Sequence, residues 1–250
     1  MIVFDLDDTL YPERQFVGSG FRAVEAHLYA QSYPRLPYAQ TFLKVFNASG
    51  SGRVFDEGLA LLGVEADVSP LVQLYREHTP SITPFAGMPQ LVALCERPSL
   101  ITDGGDTIQR RKLKALGLEG AFPVIVCTDE LAPKRACWKP STKPFAHLEK
   151  ETGLTGHQLT YIGDNPQKDF QGALKRGWTC VRLRIKGQLH EAVETPAPVL
   201  EAGSIAELAG TLRLNPAGPT SPAIMSPAVP GSSTDRAATC GSDARNPTKH

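Results

Sequence analysis

From about residue 87 onward, short β-branched runs alternate with stretches of helical period. PSLIT (98–102), FPVIVC (122–127), LTYIG (159–163) and TCVRLR (179–184) have the length and composition of strands. Between them, Asp106 stands where it can cap a helix that runs to Leu116 and stops at Gly117. Thr142 can cap a second helix that ends before Gly153, and Asn165 followed by Pro166 opens a third. Ser204 with Glu207 three residues on opens a last one in a capping-box pattern. With the N-terminal run IVF added, the pattern predicts an α/β fold: a Rossmann-like parallel sheet of about five strands with helices on both faces. The first strand is short. Only residues 1–4 precede Asp5, where strands commonly run about 5–6 residues, so Met1 is expected inside a central, buried strand.

Residues 11–85 interrupt the alternation. Their apolar positions recur at helical spacing near 14–32, 38–48, 52–62 and 69–79. Eleven of the Phe and Tyr residues fall in this interval, as the core of a small helical bundle would require. An all-helical insertion directly after the first strand is therefore predicted. The expected division is a core of 1–12 and 84–214, a helical insertion of 13–83, and a tail of 215–250. The tail is rich in Pro, Ser, Gly and Ala and has almost no large apolar residues, so it is expected to be disordered.

Composition narrows the function. The 26 basic and 26 acidic residues cancel, which removes the electrostatic argument for nucleic acid or an anionic membrane as partner. No apolar stretch approaches the roughly 20 residues that span a bilayer, and charges from Asp5 onward leave no room for a secretory h-region. The five cysteines lack CxxC spacing and the six histidines form no HExxH pair, so neither a zinc site nor a disulfide framework is expected. A cytoplasmic protein with reduced thiols fits this usage. Oligomeric state is not legible.

In an open parallel sheet, ligands sit at the carboxyl ends of the strands. Three predicted strands end in chemically loaded loops: Asp5-Leu6-Asp7-Asp8-Thr9, Thr102-Asp103-Gly104 and Gly163-Asp164-Asn165. Lys139, in CWKPSTKPF, precedes the strand that ends at Gly163. Parallel strands would bring these groups to one edge. Carboxylates this close need a compensating cation, and two or three carboxylate and carbonyl oxygens suit Mg²⁺. With its charge screened, a carboxylate is a competent nucleophile towards phosphorus. Thr102, Asp103 and the backbone N–H groups beside them can meet phosphate oxygens, and Lys139 adds positive charge where charge develops.

These four stretches, in this order, resemble the signature motifs of the haloacid dehalogenase (HAD) superfamily: Asp5 to Thr9, Thr102 at the end of SLITDGG, Lys139-Pro140, and Gly163-Asp164-Asn165 with Asp169 beyond. The resemblance spans residues 1 to about 212. It implies Asp5 as nucleophile and metal ligand, and Asp7 as general acid and then base, its backbone carbonyl also reaching the metal. It further implies Asp164 as a direct Mg²⁺ ligand and Asp169 as support for the metal or for Lys139. Asp8 is expected to hold the loop. Family members that cleave carbon–halogen bonds lack the second aspartate, so Asp7 argues for phosphatase chemistry. The insertion stands where small-molecule phosphatases of the superfamily carry a helical cap, which favours small substrates.

The expected protein is thus a Mg²⁺-dependent phosphohydrolase of a small soluble phosphomonoester, such as a sugar phosphate or nucleoside monophosphate, acting through an aspartyl-phosphate. A phosphotransferase or phosphomutase would share every motif. A non-catalytic binding or regulatory protein of the same fold is the alternative from another class. Other residues admit plainer roles. Lys134 and Lys143 compete locally with Lys139, and KRACWK (134–139) brings three cations near the proposed site. Arg14 and the basic run RRKLK (110–114) are expected on solvated helix faces.

Overall fold

Three apolar residues suffice for the central strand because it is paired on both sides. A computed structural model describes residues 1–50, 52–133 and 135–214. The tail predicted at 215–250, like Lys134, lies outside the described residues. Strand β1 (Ile2–Phe4) is followed by four helices: α1 (Glu13–Ala30), α2 (Tyr38–Ser49), α3 (Val54–Leu62) and α4 (Val68–Glu77). Then come α5 (Met88–Leu94), β2 (Ser99–Thr102), α6 (Asp106–Ala115), β3 (Val124–Cys127), α7 (Thr128–Leu131) and α8 (Lys143–Thr152). The series ends with β4 (Thr160–Gly163), α9 (Asp169–Leu174), β5 (Thr179–Leu183), β6 (Leu200–Ala202) and α10 (Ile205–Thr211).

The sheet is parallel throughout, in the order β3-β2-β1-β4-β5-β6. It has six strands where the sequence pattern suggested about five. The sixth, Leu-Glu-Ala, buries only Ala202 and so lacks both alternation and a β-branched residue. Met1 is not a strand residue. It lies half-buried just before β1, its carbonyl accepting from Thr160 N–H (3.0 Å) and its ammonium donating to the Gln158 carbonyl (2.7 Å). Beyond the strand, Asp5 N–H donates to Ile162 O at 2.8 Å. Backbone pairing therefore holds β1 on both sides of its three residues.

Successive side chains point to opposite faces of a strand, and the two cores follow that rule. Phe4, Leu100, Ile162 and Val181 pack with Met88, Leu91, Leu113 and Leu208 on one face. Val3, Ile101, Tyr161 and Cys180 pack with Phe145, Leu148, Phe170 and Trp178 on the other. The predicted helix starts hold in part. Ser204 is a true N-cap, its Oγ accepting from Glu207 N–H (3.1 Å), whereas Thr142 occupies the N-cap position without a side-chain cap hydrogen bond. Asp106 is the first helical residue, with Gly105 as the cap. After Asn165 the chain makes a turn, capped by Asn165 Oδ1 on Gln167 N–H (3.0 Å), and α9 begins only at Asp169.

Helices α1 to α4 have their own core. In α1, Val17, Phe21, Val24 and Leu28 form one buried stripe, met by Phe42, Phe55, Leu59 and Leu71. Phe42 and Phe55 pack edge to face, with ring centroids 5.0 Å apart at 83°. Gly58 lies flat beneath Phe42: a Cβ there would stand 2.4 Å from the ring. At the neck, where the chain leaves the insertion, Phe85 N–H donates to Leu10 O (3.0 Å).

Candidate active site

The loops after β1, β2 and β4 open at one edge of the sheet, and the segment before α8 reaches the same place. Lys139 binds them together. Its buried ammonium donates to Asp5 Oδ1 (2.6 Å), Asp169 Oδ1 (2.8 Å) and Tyr161 Oη (2.9 Å). Burial alone would discharge this amine. The carboxylates of Asp169 and Asp5 outweigh burial and hold its pKa above the ordinary lysine value. Of the local rivals, Lys143 opens α8 as a helix residue, and Lys134 lies outside the described residues.

Asp169 is used at both oxygens. Oδ1 takes Lys139, while Oδ2 accepts the backbone N–H groups of Asp164 (3.1 Å) and Asn165 (2.8 Å). This close approach explains Gly163, where a Cβ would lie 2.6 Å from Asp169 Oδ2. Behind the same loop, the buried Arg182 guanidinium donates to the Asp164 carbonyl (3.0 Å) and to the carbonyls of His190 and Val193. The carboxylate of Asp164 is therefore mounted on a rigid turn.

Asp5, Asp164 and Asp169 each offer an oxygen within 4.8 Å of the others. Asp5 Oδ2 is buried and has no hydrogen-bond partner. Burial pushes the Asp5 carboxyl up to about 6 despite Lys139. Asp164 is held well above the usual carboxylate range, first by burial and then by the charges of Asp169, Asp5 and Asp8. An orphaned buried oxygen beside a second strained carboxylate is a donor set that suits a hard divalent cation. With Asp169 fully occupied, Asp5 and Asp164 are the carboxylates with capacity to spare.

Asp7 and Asp8 diverge although they are adjacent. Asp8 lies in the left-handed region (φ 54°), with Oδ1 accepting from Glu13 N–H (2.8 Å) and Oδ2 from Leu189 N–H (2.6 Å). It holds the loop, as expected. Asp7 instead accepts from Lys112 Nζ at both oxygens (2.8 Å each) and from the Tyr11 hydroxyl. Burial would raise its pKa, but Lys112 and Tyr11 bring the net shift below the ordinary value.

Lys112 corrects the sequence expectation for RRKLK. It is 6% exposed and lies under the Phe16 ring, 4.4 Å from its centroid. Its helix position held the clue, because Gln109, Lys112, Leu113 and Leu116 fall at i, i+3, i+4 and i+7, a buried stripe. Lys168, also unsuspected, places its ammonium 3.6 Å from Asp103 Oδ2, with Asp5 and Asp169 raising its pKa against burial and Lys139. Thr102 Oγ1 accepts from Gln109 Nε2 (2.9 Å), which leaves its O–H proton to donate elsewhere. Asp103 Oδ1 accepts from Lys139 N–H (3.1 Å), so its carboxylate faces the lysine segment. Arg14 is exposed and donates to Asn47 Oδ1, as a surface residue would. The four cysteines among the described residues are buried and unbridged. No helix among those residues is long and apolar enough to cross a membrane.

Comparison with known proteins gives this arrangement its family. A family profile described as haloacid dehalogenase-like hydrolase matches residues 2–183. The glyceraldehyde 3-phosphate phosphatase of Methanocaldococcus jannaschii is 28% identical over 219 residues, covering 83% of this chain and 94% of that one. The enzyme of the same name from Methanopyrus kandleri is 27% identical over 197 residues, covering 73% and 83%. The fold superposes on the magnesium-bound HAD hydrolase YfnB of Bacillus subtilis with a TM-score of 0.64, at 19% identity, over 84% of this chain and 97% of that one. The chain belongs to the haloacid dehalogenase-like hydrolase family, in which its curated relatives set it with the phosphatases.

Proposed function

We propose that the chain is a Mg²⁺-dependent phosphohydrolase that acts on a small phosphomonoester through an aspartyl-phosphate on Asp5, with α1 to α4 as its cap. One observation carries the reading: Asp5 is buried, held at Oδ1 by Lys139, and left without a partner at Oδ2 beside Asp164. A purely structural carboxylate in that position would be costly to retain. Asp5, Asp164 and the backbone carbonyl of Asp7 would hold the metal. Bound there, Mg²⁺ would neutralise phosphate oxygens and so admit the anionic ester to an anionic nucleophile.

The chain's own groups supply the rest. An Asp5 oxygen attacks phosphorus as the bond to the leaving alkoxide breaks, and Asp7, parted from Lys112 and protonated as the ester binds, delivers the proton that the alkoxide needs. Asp7 then takes a proton from water, whose oxygen attacks the phosphoryl group and frees Asp5 and inorganic phosphate. Lys139 orients Asp5 and offsets the charge on the phosphoryl oxygens, and the Thr102 hydroxyl is free to donate to one of them. Phe16 lies over Lys112, so α1 covers the partner of the acid–base residue and excludes water from its side.

The test is phosphate release from a panel of small phosphomonoesters with Mg²⁺, run beside Asp5→Asn. Release by the wild type and silence in the variant is the expected result. Turnover that survives in Asp5→Asn would overturn the mechanism.

A further inference from the structure

A cavity of about 270 Å³ adjoins the catalytic groups. Its lining includes Phe16 and Arg76 of the insertion, Gln109 and Lys112 of α6, and Arg135 and Trp138 of the segment before α8. The two α6 residues tie the cavity to the chemistry, since Lys112 donates to Asp7 and Gln109 to Thr102. A phosphoryl group on Asp5 would therefore leave the remainder of its ester in this space.

The charges that line the cavity do not cancel. Asp103 accepts from Lys139 N–H and faces Lys168, while Asp129 accepts from the Trp138 indole N–H, a neutral donor that leaves its negative charge in place. Lys112 is taken up by Asp7. Arg76 and Arg135 then outnumber Asp129, and among the described residues neither arginine makes an ion pair or a side-chain hydrogen bond. Both also line a neighbouring chamber of about 350 Å³, whose other lining residues belong to the insertion, so the two arginines are shared by both cavities.

The two arginines are held differently. The Arg135 guanidinium lies over the Trp138 ring, 4.4 Å from its centroid, which fixes its plane and leaves its N–H edge open. Trp138 is itself anchored through Asp129. Arg76 sits in the last turn of α4, whose end is pinned by His78 between Ser19 Oγ (2.7 Å) and the Tyr75 carbonyl (2.6 Å). A planar fork of donors with a fixed orientation matches a carboxylate or phosphate better than a neutral hydroxyl or aldehyde.

We infer that the site selects phosphomonoesters carrying a second anionic group, a carboxylate or a second phosphate, which Arg76 and Arg135 hold across the cavity from the reacting phosphate. The inference rests on the phosphohydrolase reading and narrows its substrate class. Both arginines are exposed, so a neutral tail costs them nothing but forfeits the charge-assisted hydrogen bonds that an anionic tail gains.

Three pairs of esters, matched in size, test it: 2-phosphoglycolate against 2-hydroxyethyl phosphate, 3-phosphoglycerate against glycerol 3-phosphate, and 3-phosphoglycerate against glyceraldehyde 3-phosphate. The expected kcat/KM favours the anionic member by about tenfold or more, carried mainly by KM. Arg76→Gln and Arg135→Gln each raise KM for the anionic member by about tenfold and shrink the preference within the pair. Equal rates within the pairs, preference for glyceraldehyde 3-phosphate, or variants that leave the ratio intact would overturn the inference while the phosphohydrolase stands. Absence of phosphate release from every ester, including p-nitrophenyl phosphate, would remove both.

Discussion

The insertion and the sheet edge are both well buried, yet they bury opposite kinds of group. Between α1 and α4 the interior is rings: Phe21, Phe42, Phe55 and Tyr75 meet with centroids 5.0–5.9 Å apart. At the carboxyl edge of the sheet the interior is ions, with Asp5, Asp164, Asp169 and Lys139 all almost inaccessible. Burial stabilises a ring by roughly 1.5–3 kcal/mol, whereas it costs a carboxylate, as the raised pKa values of Asp5 and Asp164 record. The insertion is therefore organised for stability. The sheet edge gives up stability, which is the signature expected of groups retained for chemistry.

Single substitutions should separate the two regions. Asp5→Asn should lower phosphate release by about 10⁴-fold or more, equivalent to ~5 kcal/mol of barrier. Its melting temperature should stay close to wild type, because Lys139 keeps Asp169 and Tyr161 as partners. A melting temperature that fell as far as that of a ring deletion would break the contrast. Phe42→Ala, at a side chain with no exposure, should instead cost about 3–5 kcal/mol in denaturant unfolding.

Metal should act on one region only. At a Mg²⁺ concentration of about 100 times Kd, the folded state should gain about 2.7 kcal/mol. Chelation should reverse the gain, and Asp164→Asn should abolish most of it. An equal shift in Asp164→Asn would assign the cation elsewhere. The smallest expected effect belongs to the insertion. His78 is buried against Ser19 and Tyr75, with Lys112 and Arg22 as the nearest charges, and burial lowers its pKa from 6.5. Because the unfolded chain then binds the proton more readily, stability is full above about 6.5 and falls below it, by at most about 1.4 kcal/mol per pH unit. His78→Gln should flatten that slope in melts between pH 5 and 8, a range chosen around the ordinary histidine pKa of about 6.5. An unchanged slope would show that another group carries it.

Legibility followed the periodicity of each element. The four helices of the insertion and β2 to β5 fell within a few residues of their predicted places, because amphipathic spacing and β-branched runs are local signals. β6 was missed because three residues with one buried side chain carry no pattern. α5 was passed over as well, a seven-residue helix with a glycine cap. The loaded loops were found because their acidic residues stand directly behind apolar strands. The two lysines that complete the site were not. Lys112 is one charge among five consecutive residues, RRKLK, of which four are basic, and only its stripe neighbours mark it as buried. Lys168 gains its meaning solely from the approach of Asp103.

The sequence by itself determined the parallel α/β core, the helical insertion after the first strand, and the order of the acidic, hydroxyl and lysine stretches. These depend on periodicity, propensity and spacing, which act over a few residues. Only the tertiary structure decided what each charge faces. It divided Asp7 from Asp8, giving one to Lys112 and Tyr11 and the other to the backbone of Glu13 and Leu189. It occupied both oxygens of Asp169 and left Asp5 Oδ2 with none. Electrostatic and hydrogen-bond energies depend on separations of a few ångströms between residues up to 181 positions apart, and no local pattern encodes those separations.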